Sequence, residues 1–302
     1  TLHLFWDLFG VVRGGGCAIY LDAGAYPVAR WGAERAAAGG VPLHIFAAGD
    51  VAALRRLLRQ HRPVGGRLRP IVVTDGFRPG GGAVPLGAYL ACVRTFGGKL
   101  IVDDTQALGI FGHSASAARP YGLGGGGSLR RWGIGGKDVV VVSSLAKAFG
   151  VPMAVMAGSR ELIDWFEARS ETRVHCSPPS LAAIHAAEHA LDLNDEQGDA
   201  LRLRLAQNVR RFRRGLGGLG LPAAGGLFPV QTLQLPEGVD APELHSRLLG
   251  EGIRTFLQRR RGRPCLSFII TARHRDGEID RAAAAVAGAL AELAAVEELE
   301  PG

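Results

Sequence analysis

The sequence predicts an α/β fold built on a mostly parallel sheet, followed by a smaller carboxyl-terminal α+β region. Three observations carry this. Short β-branched runs alternate with Ala/Leu/Arg-rich stretches, the pattern of strands that feed covering helices. The strand-like runs are apolar almost throughout, as strands buried on both faces require. From about Ala223 the character changes to short strands and helices after Gly225-Gly226.

Each element follows in order. The amino end, Thr1-Leu2-His3-Leu4-Phe5-Trp6, starts without an initiator Met and shows no entry helix, so part of the protein is expected to lie upstream. Val51 to Gln60 reads as a helix with Asp50 as its N-cap, and Leu86 to Phe96 as another. Strands are expected at Pro70 to Thr74, Leu100 to Asp103 and Asp138 to Ser143, with a further apolar run at Met153 to Ala157. Ser180 to Asp192 and Gln197 to Leu216 read as two long helices, the second strongly basic. Beyond them come a strand at Phe228 to Leu235, a helix at Ala241 to Leu249, a strand at Cys265 to Thr271 and a terminal helix at Asp276 to Leu299. The expected division is a large domain over 1–222 and a small one over 223–302.

Composition sets limits. The 302 residues suffice for one large or two ordinary domains, and 47% apolar with 21% charged residues is a globular balance. Cys17, Cys92, Cys176 and Cys265 are far apart, so neither a disulfide framework nor a zinc site is indicated, and reduced thiols in the cytoplasm are expected. The net charge of +7 raises nucleic acid as a partner, but the densest run, Arg259-Arg260-Arg261-Gly262-Arg263, lacks interleaved aromatics and reads as a solvated loop. The apolar stretch from Val139 to Ala157 is broken by Lys147, so no membrane span is expected. His113, His175 and His274 are scattered, and no metal site is expected.

The chemistry gathers at strand ends. Lys147 follows one buried run in Ser144-Leu145-Ala146-Lys147, and Asp103 closes another in Val102-Asp103-Asp104-Thr105-Gln106. In open α/β sheets ligands bind at the carboxyl edge. A lysine and an acid at two such ends suit pyridoxal phosphate, whose aldehyde takes the lysine as a Schiff base and whose ring nitrogen pairs with the acid. Ser144 adds a hydroxyl suited to a phosphate oxygen. The same string fits the S-x-x-K of penicillin-binding enzymes, but their S-D-N and K-T-G elements are absent. Gly122-Leu123-Gly124-Gly125-Gly126-Gly127 matches a dinucleotide fingerprint in letters only, since no strand precedes it, and reads as a mobile loop.

Together with Val73-Thr74-Asp75-Gly76, Pro85-Leu86, Gly122 to Gly133, Ala148-Phe149-Gly150, Ala157 to Ile163, Thr271 to His274 and Ile279-Asp280, these segments resemble the α-oxoamine synthases. This is the fold-type I pyridoxal phosphate group that includes 8-amino-7-oxononanoate synthase and 2-amino-3-ketobutyrate CoA ligase. The resemblance runs from Thr1 to about Asp280. It implies a homodimeric acyltransferase that condenses an amino acid with an acyl-CoA, losing carbon dioxide. It also implies that Lys147 carries the cofactor and later acts as acid and base at the substrate α-carbon, that Asp103 holds the ring nitrogen protonated, and that Ser144 with the backbone of Thr1, Leu2 and His3 holds the phosphate.

Three positions depart from the family pattern. The ring-stacking His falls on Tyr26, which still offers an aromatic face. The His that contacts the ring hydroxyl falls on Gln106, which still donates a hydrogen bond. The Arg that grips the substrate carboxylate falls on Ser267, which cannot form a bidentate ion pair. The expected enzyme therefore has a divergent substrate. The alternatives are an aminotransferase or decarboxylase that uses no CoA, and a catalytically silent scaffold.

Overall fold

The computed structural model describes residues 1–12, 16–61, 69–80, 82–235, 238–260 and 262–299. The chain divides into two units, residues 1–116 with 121–199, and residues 117–120 with 200–302. The division falls inside one helix, upstream of the 222/223 boundary expected from composition. A continuous helix shows no change of pattern where packing passes from one core to another.

In the first unit the order is α1 (Leu2–Val12), β1 (Cys17–Asp22), α2 (Pro27–Ala38), β2 (Leu43–Phe46), α3 (Val51–Gln60), β3 (Arg69–Asp75), β4 (Phe77–Arg78), β5 (Gly82–Ala83), α4 (Leu86–Thr95), β6 (Lys99–Asp103), α5 (Gly127–Trp132), β7 (Val139–Ser144), β8 (Ala154–Ala157), α6 (Arg160–Arg169) and α7 (Glu171–His175). Helix α8 (Leu181–Gly218) follows, then β9 (Ala223–Ala224), β10 (Val230–Leu233), α9 (Ala241–Gly250), β11 (Phe256–Arg260), β12 (Arg263–Ile269) and α10 (Asp276–Leu299).

Six strands form the main sheet in the order β2-β1-β3-β6-β7-β8. The first five run parallel, and β8 pairs antiparallel with β7 at the edge. Both faces are covered. Ile19, Leu21, Ile71 and Val73 pack with Phe5, Ala29 and Phe166 on one side. Ala18, Tyr20 and Val72 pack with Leu54, Tyr89 and Leu90 on the other. Each large aliphatic side chain buried this way contributes about 1.5–3 kcal/mol. In the second unit β11-β12-β10-β9 form an antiparallel sheet.

Several expectations are corrected. The amino end does have an entry helix, α1, whose Asp7 accepts from the Ser170 and Thr172 hydroxyls at 2.5 and 2.6 Å. The two helices expected around 180–216 are one, α8, running through Asn194, Asp195 and Gly198. The helix penalty of such residues is about 1 kcal/mol at most, and tertiary bonds offset it. Asn194 Nδ2 donates to the Gly124 carbonyl at 3.2 Å, and Asp199 accepts from the Gly124 amide at 2.9 Å. Residues 122–127, expected as a mobile loop, are tied into the fold by backbone bonds. They pair through Leu108–Gly126 and His113–Leu123 bridges and a 2.7 Å bond from the Gly109 amide to the Gly125 carbonyl. Their glycines serve close backbone approach: a Cβ on Gly122 would strike the Gly112 and His113 carbonyls. Arg259 and Arg260 lie in strand β11 rather than a loop, and Arg261 is outside the described residues.

Candidate active site

Three neighbouring parallel strands each end in aspartate: β1 at Asp22, β3 at Asp75 and β6 at Asp103. Their register places Asp75 beside Asp103, and Asp103 beside Val142 of β7. The carboxyl edge of the sheet therefore carries a row of acids that continues to Ser144 and the turn holding Lys147. Sequence reasoning singled out only Asp103. The signal that reveals the others is the repeated form of an apolar strand closed by Asp, in CAIYLD, RPIVVTD and KLIVD.

Each acid has a different environment. Asp22 is fully buried and accepts from the Gly24 amide at 2.7 Å, the Tyr89 hydroxyl at 2.8 Å, and the Gly49 amide and Arg78 Nη1 at 3.2 Å. Buried polar oxygens need such partners, and the two Asp22 oxygens have them. Burial, with the bond to Asp22, pushes the Tyr89 phenol well above its ordinary range. Among the described residues the Asp75 carboxylate accepts one amide, from Tyr26 at 2.9 Å. Burial pushes its carboxyl up to about 7, the Tyr26 amide opposing and the nearby Asp103 charge adding to the rise. Asp103 is buried and accepts from the Thr105 amide at 3.0 Å. Its neighbour Asp104 is also pushed by burial to about 7, although it accepts from the Ser128 amide at 2.9 Å.

Lys147 follows β7 in a turn closed by the Phe149 amide on the Leu145 carbonyl at 3.1 Å. Its Nζ lies 5.5 Å from the centre of the Tyr26 ring. Burial of the amine lowers its pKa, while the charges of Asp103 and Asp75 pull it back up. The side chain remains partly open to solvent, so these fields are screened. Tyr26 is 49% exposed and presents its ring to the same space. It is positioned because its own amide is held by Asp75 at the N-cap of α2, where Pro27 opens the helix.

The other expected residues divide. The Ser144 amide donates to Thr105 Oγ1 at 3.0 Å, tying the ends of β6 and β7 together, and its hydroxyl accepts from the Ala146 amide at 3.2 Å. Thr1 lies within the field of Asp103, and its carbonyl accepts from the Phe5 amide at 3.0 Å to start α1. Leu2 and His3 are exposed on the first turn of that helix. Gln106 is half-buried directly after Thr105. Ser267 belongs to the other unit, in β12, where it is buried and bonded to Thr232 at 2.8 Å and Gln258 at 2.6 Å. The structure therefore brings Lys147, Asp103, Tyr26, Ser144 and Thr1 to one sheet edge and adds Asp75 and Thr105 to them.

An amine depressed by burial, a buried carboxylate and an open aromatic face form a donor set that fits a flat cationic heteroaromatic bearing an aldehyde. Among the described residues no group of His, Cys, Asp and Glu is arranged to hold a metal ion, and no helix is long and apolar enough to cross a membrane.

Residues 8–286 match the aminotransferase class I and II family. The 8-amino-7-oxononanoate synthase of Geobacter sulfurreducens is 32% identical over 246 residues, covering 79% of this chain and 59% of that protein. The one from Ralstonia pickettii is 30% identical over 288 residues, covering 90% of this chain and 64% of that protein. The chain thus spans 59% and 64% of the length of these two relatives. Among solved structures, Sphingomonas wittichii serine palmitoyltransferase superposes with a TM-score of 0.77 at 19% identity, over 94% of this chain and 70% of that one. The 8-amino-7-oxononanoate synthase from Francisella tularensis gives 0.68 at 19% identity, over 95% and 80%. The architecture is that of the fold-type I pyridoxal phosphate transferases. The chain belongs to the aminotransferase class I and II family.

Proposed function

We propose that this protein is a pyridoxal phosphate-dependent acyltransferase that joins an amino acid to an acyl thioester, as a homodimer in the cytoplasm. The observation that carries the reading is the placement of the Lys147 amine over the Tyr26 ring and within the fields of Asp103 and Asp75. The identity with 8-amino-7-oxononanoate synthases supports the acyl-transfer class.

When bound, the cofactor supplies an electron sink for charge developing at the substrate α-carbon. The chain's own residues do the rest. Lys147 would hold the cofactor through its amine and would move a proton at the substrate α-carbon, and burial lowers the proton affinity of that amine. Asp103 offers a buried negative charge to a protonated ring nitrogen. Tyr26 provides the stacking face. Ser144 and the start of α1, with Thr1, Leu2 and His3, are suited to the phosphate, and Gln106 to the ring hydroxyl.

The substrate is expected to diverge from that of the relatives. Ser267 is engaged by Thr232 and Gln258 and offers no cation to a substrate carboxylate.

Visible absorbance of the purified protein tests the cofactor. A yellow protein whose colour is lost in Lys147→Ala is expected; a colourless protein that cannot be reconstituted overturns the reading. Release of free thiol from a panel of acyl-CoAs, dependent on an added amino acid, then tests acyl transfer. A coloured enzyme that releases no thiol but exchanges amino groups would instead be an aminotransferase.

A further inference from the structure

A second charged feature lies in the unit of residues 200–302 and plays no part in the reaction proposed above. Gln207, Arg210, Arg213, Arg214 and Leu227 line a cavity of about 500 Å³, inside the range of roughly 300–1,000 Å³ usual for small-molecule sites. Gln207, Arg210 and Arg214 stand at i, i+3 and i+7 on α8 and so share one face. Phe212 is buried away from them, its ring 4.9 Å from that of Phe268.

Two of the three guanidinium groups are already held in place. Arg213 donates to the Ala223 carbonyl at 2.6 Å and to Gln231 Oε1 at 2.9 Å. Arg210 donates to the Ala117 carbonyl at 2.9 Å. Arg214 is exposed. Among the described residues none of the three pairs with a carboxylate, whereas the intervening Arg211 bonds both Asp276 and Asp280 at 2.6 Å. Three uncompensated cations converging on one concavity repel one another, and an anion relieves that repulsion.

We propose that this cavity binds a phosphate-bearing small molecule. A phosphate offers three oxygens to planar guanidinium forks, which a single carboxylate does not. The hydrogen bonds on Arg210 and Arg213 remove part of the ordering cost of binding. Leu227 gives an apolar surface for the organic part of the ligand.

The test uses the full chain loaded with pyridoxal phosphate, so that the cofactor's own phosphate site is filled. Pyrophosphate is titrated calorimetrically at low and high ionic strength. Saturable binding that weakens with salt is expected, with Kd raised roughly tenfold or more in R210Q/R214Q. Arg214→Gln breaks no bond among the described residues and serves if the double variant does not fold; it is expected to raise Kd several-fold, and Arg214→Lys less. Absence of saturable binding at low salt, or an unchanged Kd in a folded R214Q or R210Q/R214Q, overturns the proposal.

Discussion

The Lys147 ammonium sits 5.5 Å from the centre of the Tyr26 ring, and the Tyr26 amide is in turn bound by Asp75 at 2.9 Å. Lysine, ring and acid come from the ends of three different strands, so each can be changed separately.

The ring face is the first thing to test. Tyr26→Phe keeps the aromatic surface, and cofactor affinity is expected to stay within a factor of two or so of wild type. Tyr26→Leu removes it and is expected to weaken pyridoxal phosphate binding about three- to tenfold, the equivalent of roughly 0.5–1.5 kcal/mol. Titration of the apo protein, followed by visible absorbance, reads both. Equal affinities in the two variants would remove Tyr26 from the site.

Asp75 raises the affinity of Lys147 for its proton, but only when it is itself charged, above about pH 7. In Asp75→Asn the side-chain oxygen still accepts the Tyr26 amide while the charge is gone. The pH at which the Lys147 amine of the apo protein becomes reactive toward an acylating reagent is therefore expected to fall. Mass spectrometry of Lys147 labelling against pH provides the measurement. A curve that does not move would show that the Asp75 charge fails to reach the amine.

Asp104 makes a prediction about stability. Its folded pKa of about 7 lies above the ordinary 3.8, so between these values the folded chain keeps a proton that the unfolded chain has lost. Stability contributed by this group is full below about pH 4, declines as pH rises to about 7, and is level beyond. Asp104→Asn should lose less melting temperature than wild type between pH 5 and pH 8, with the remaining slope shared by Asp75. Parallel slopes in the two proteins would contradict the assignment.

Two glycines separate the cost of conformation from the cost of contact. Gly127 has φ +78°, and a Cβ there would run into the Asp104 carboxylate; Gly133 has φ +62° with nothing nearby. Gly133→Ala is expected to cost about 1–2 kcal/mol, the left-handed penalty alone. Gly127→Ala should cost about 3 kcal/mol or more, because it also displaces a buried acceptor from the Ser128 amide. Urea denaturation of both variants checks the difference.

Much of this was legible locally. A strand over 100–103 and a helix over 51–60 were read from apolar runs, against an observed strand Lys99–Asp103 and helix Val51–Gln60, and Asp50 was identified as an N-cap; its carboxylate accepts the Ala53 amide at 2.8 Å. The positions of Asp103 and Lys147 at the sheet edge were legible because the first closes a buried strand and the second follows one by three residues. Strand β1 and helix α2 were not read, since Cys17 to Asp22 and the Ala-rich stretch after Pro27 carry little periodicity. The continuity of α8 was also hidden, because Asn194 and Asp199 favour the helix only through their bonds to Gly124.

The sequence by itself determined the fold class, the kind of cofactor, and the placement of a lysine and an acid after two buried strands, because each depends on residue type at the end of a locally recognisable strand. Tertiary structure alone decided that Asp22, Asp75 and Asp103 stand side by side, that Arg78 and Tyr89 donate to Asp22 while the Tyr26 amide donates to Asp75, and that Tyr26 meets Lys147. The order β1-β3-β6-β7 is set by pairing between strands distant in the chain, and burial, which sets each carboxyl's proton affinity, exists only once those strands have met.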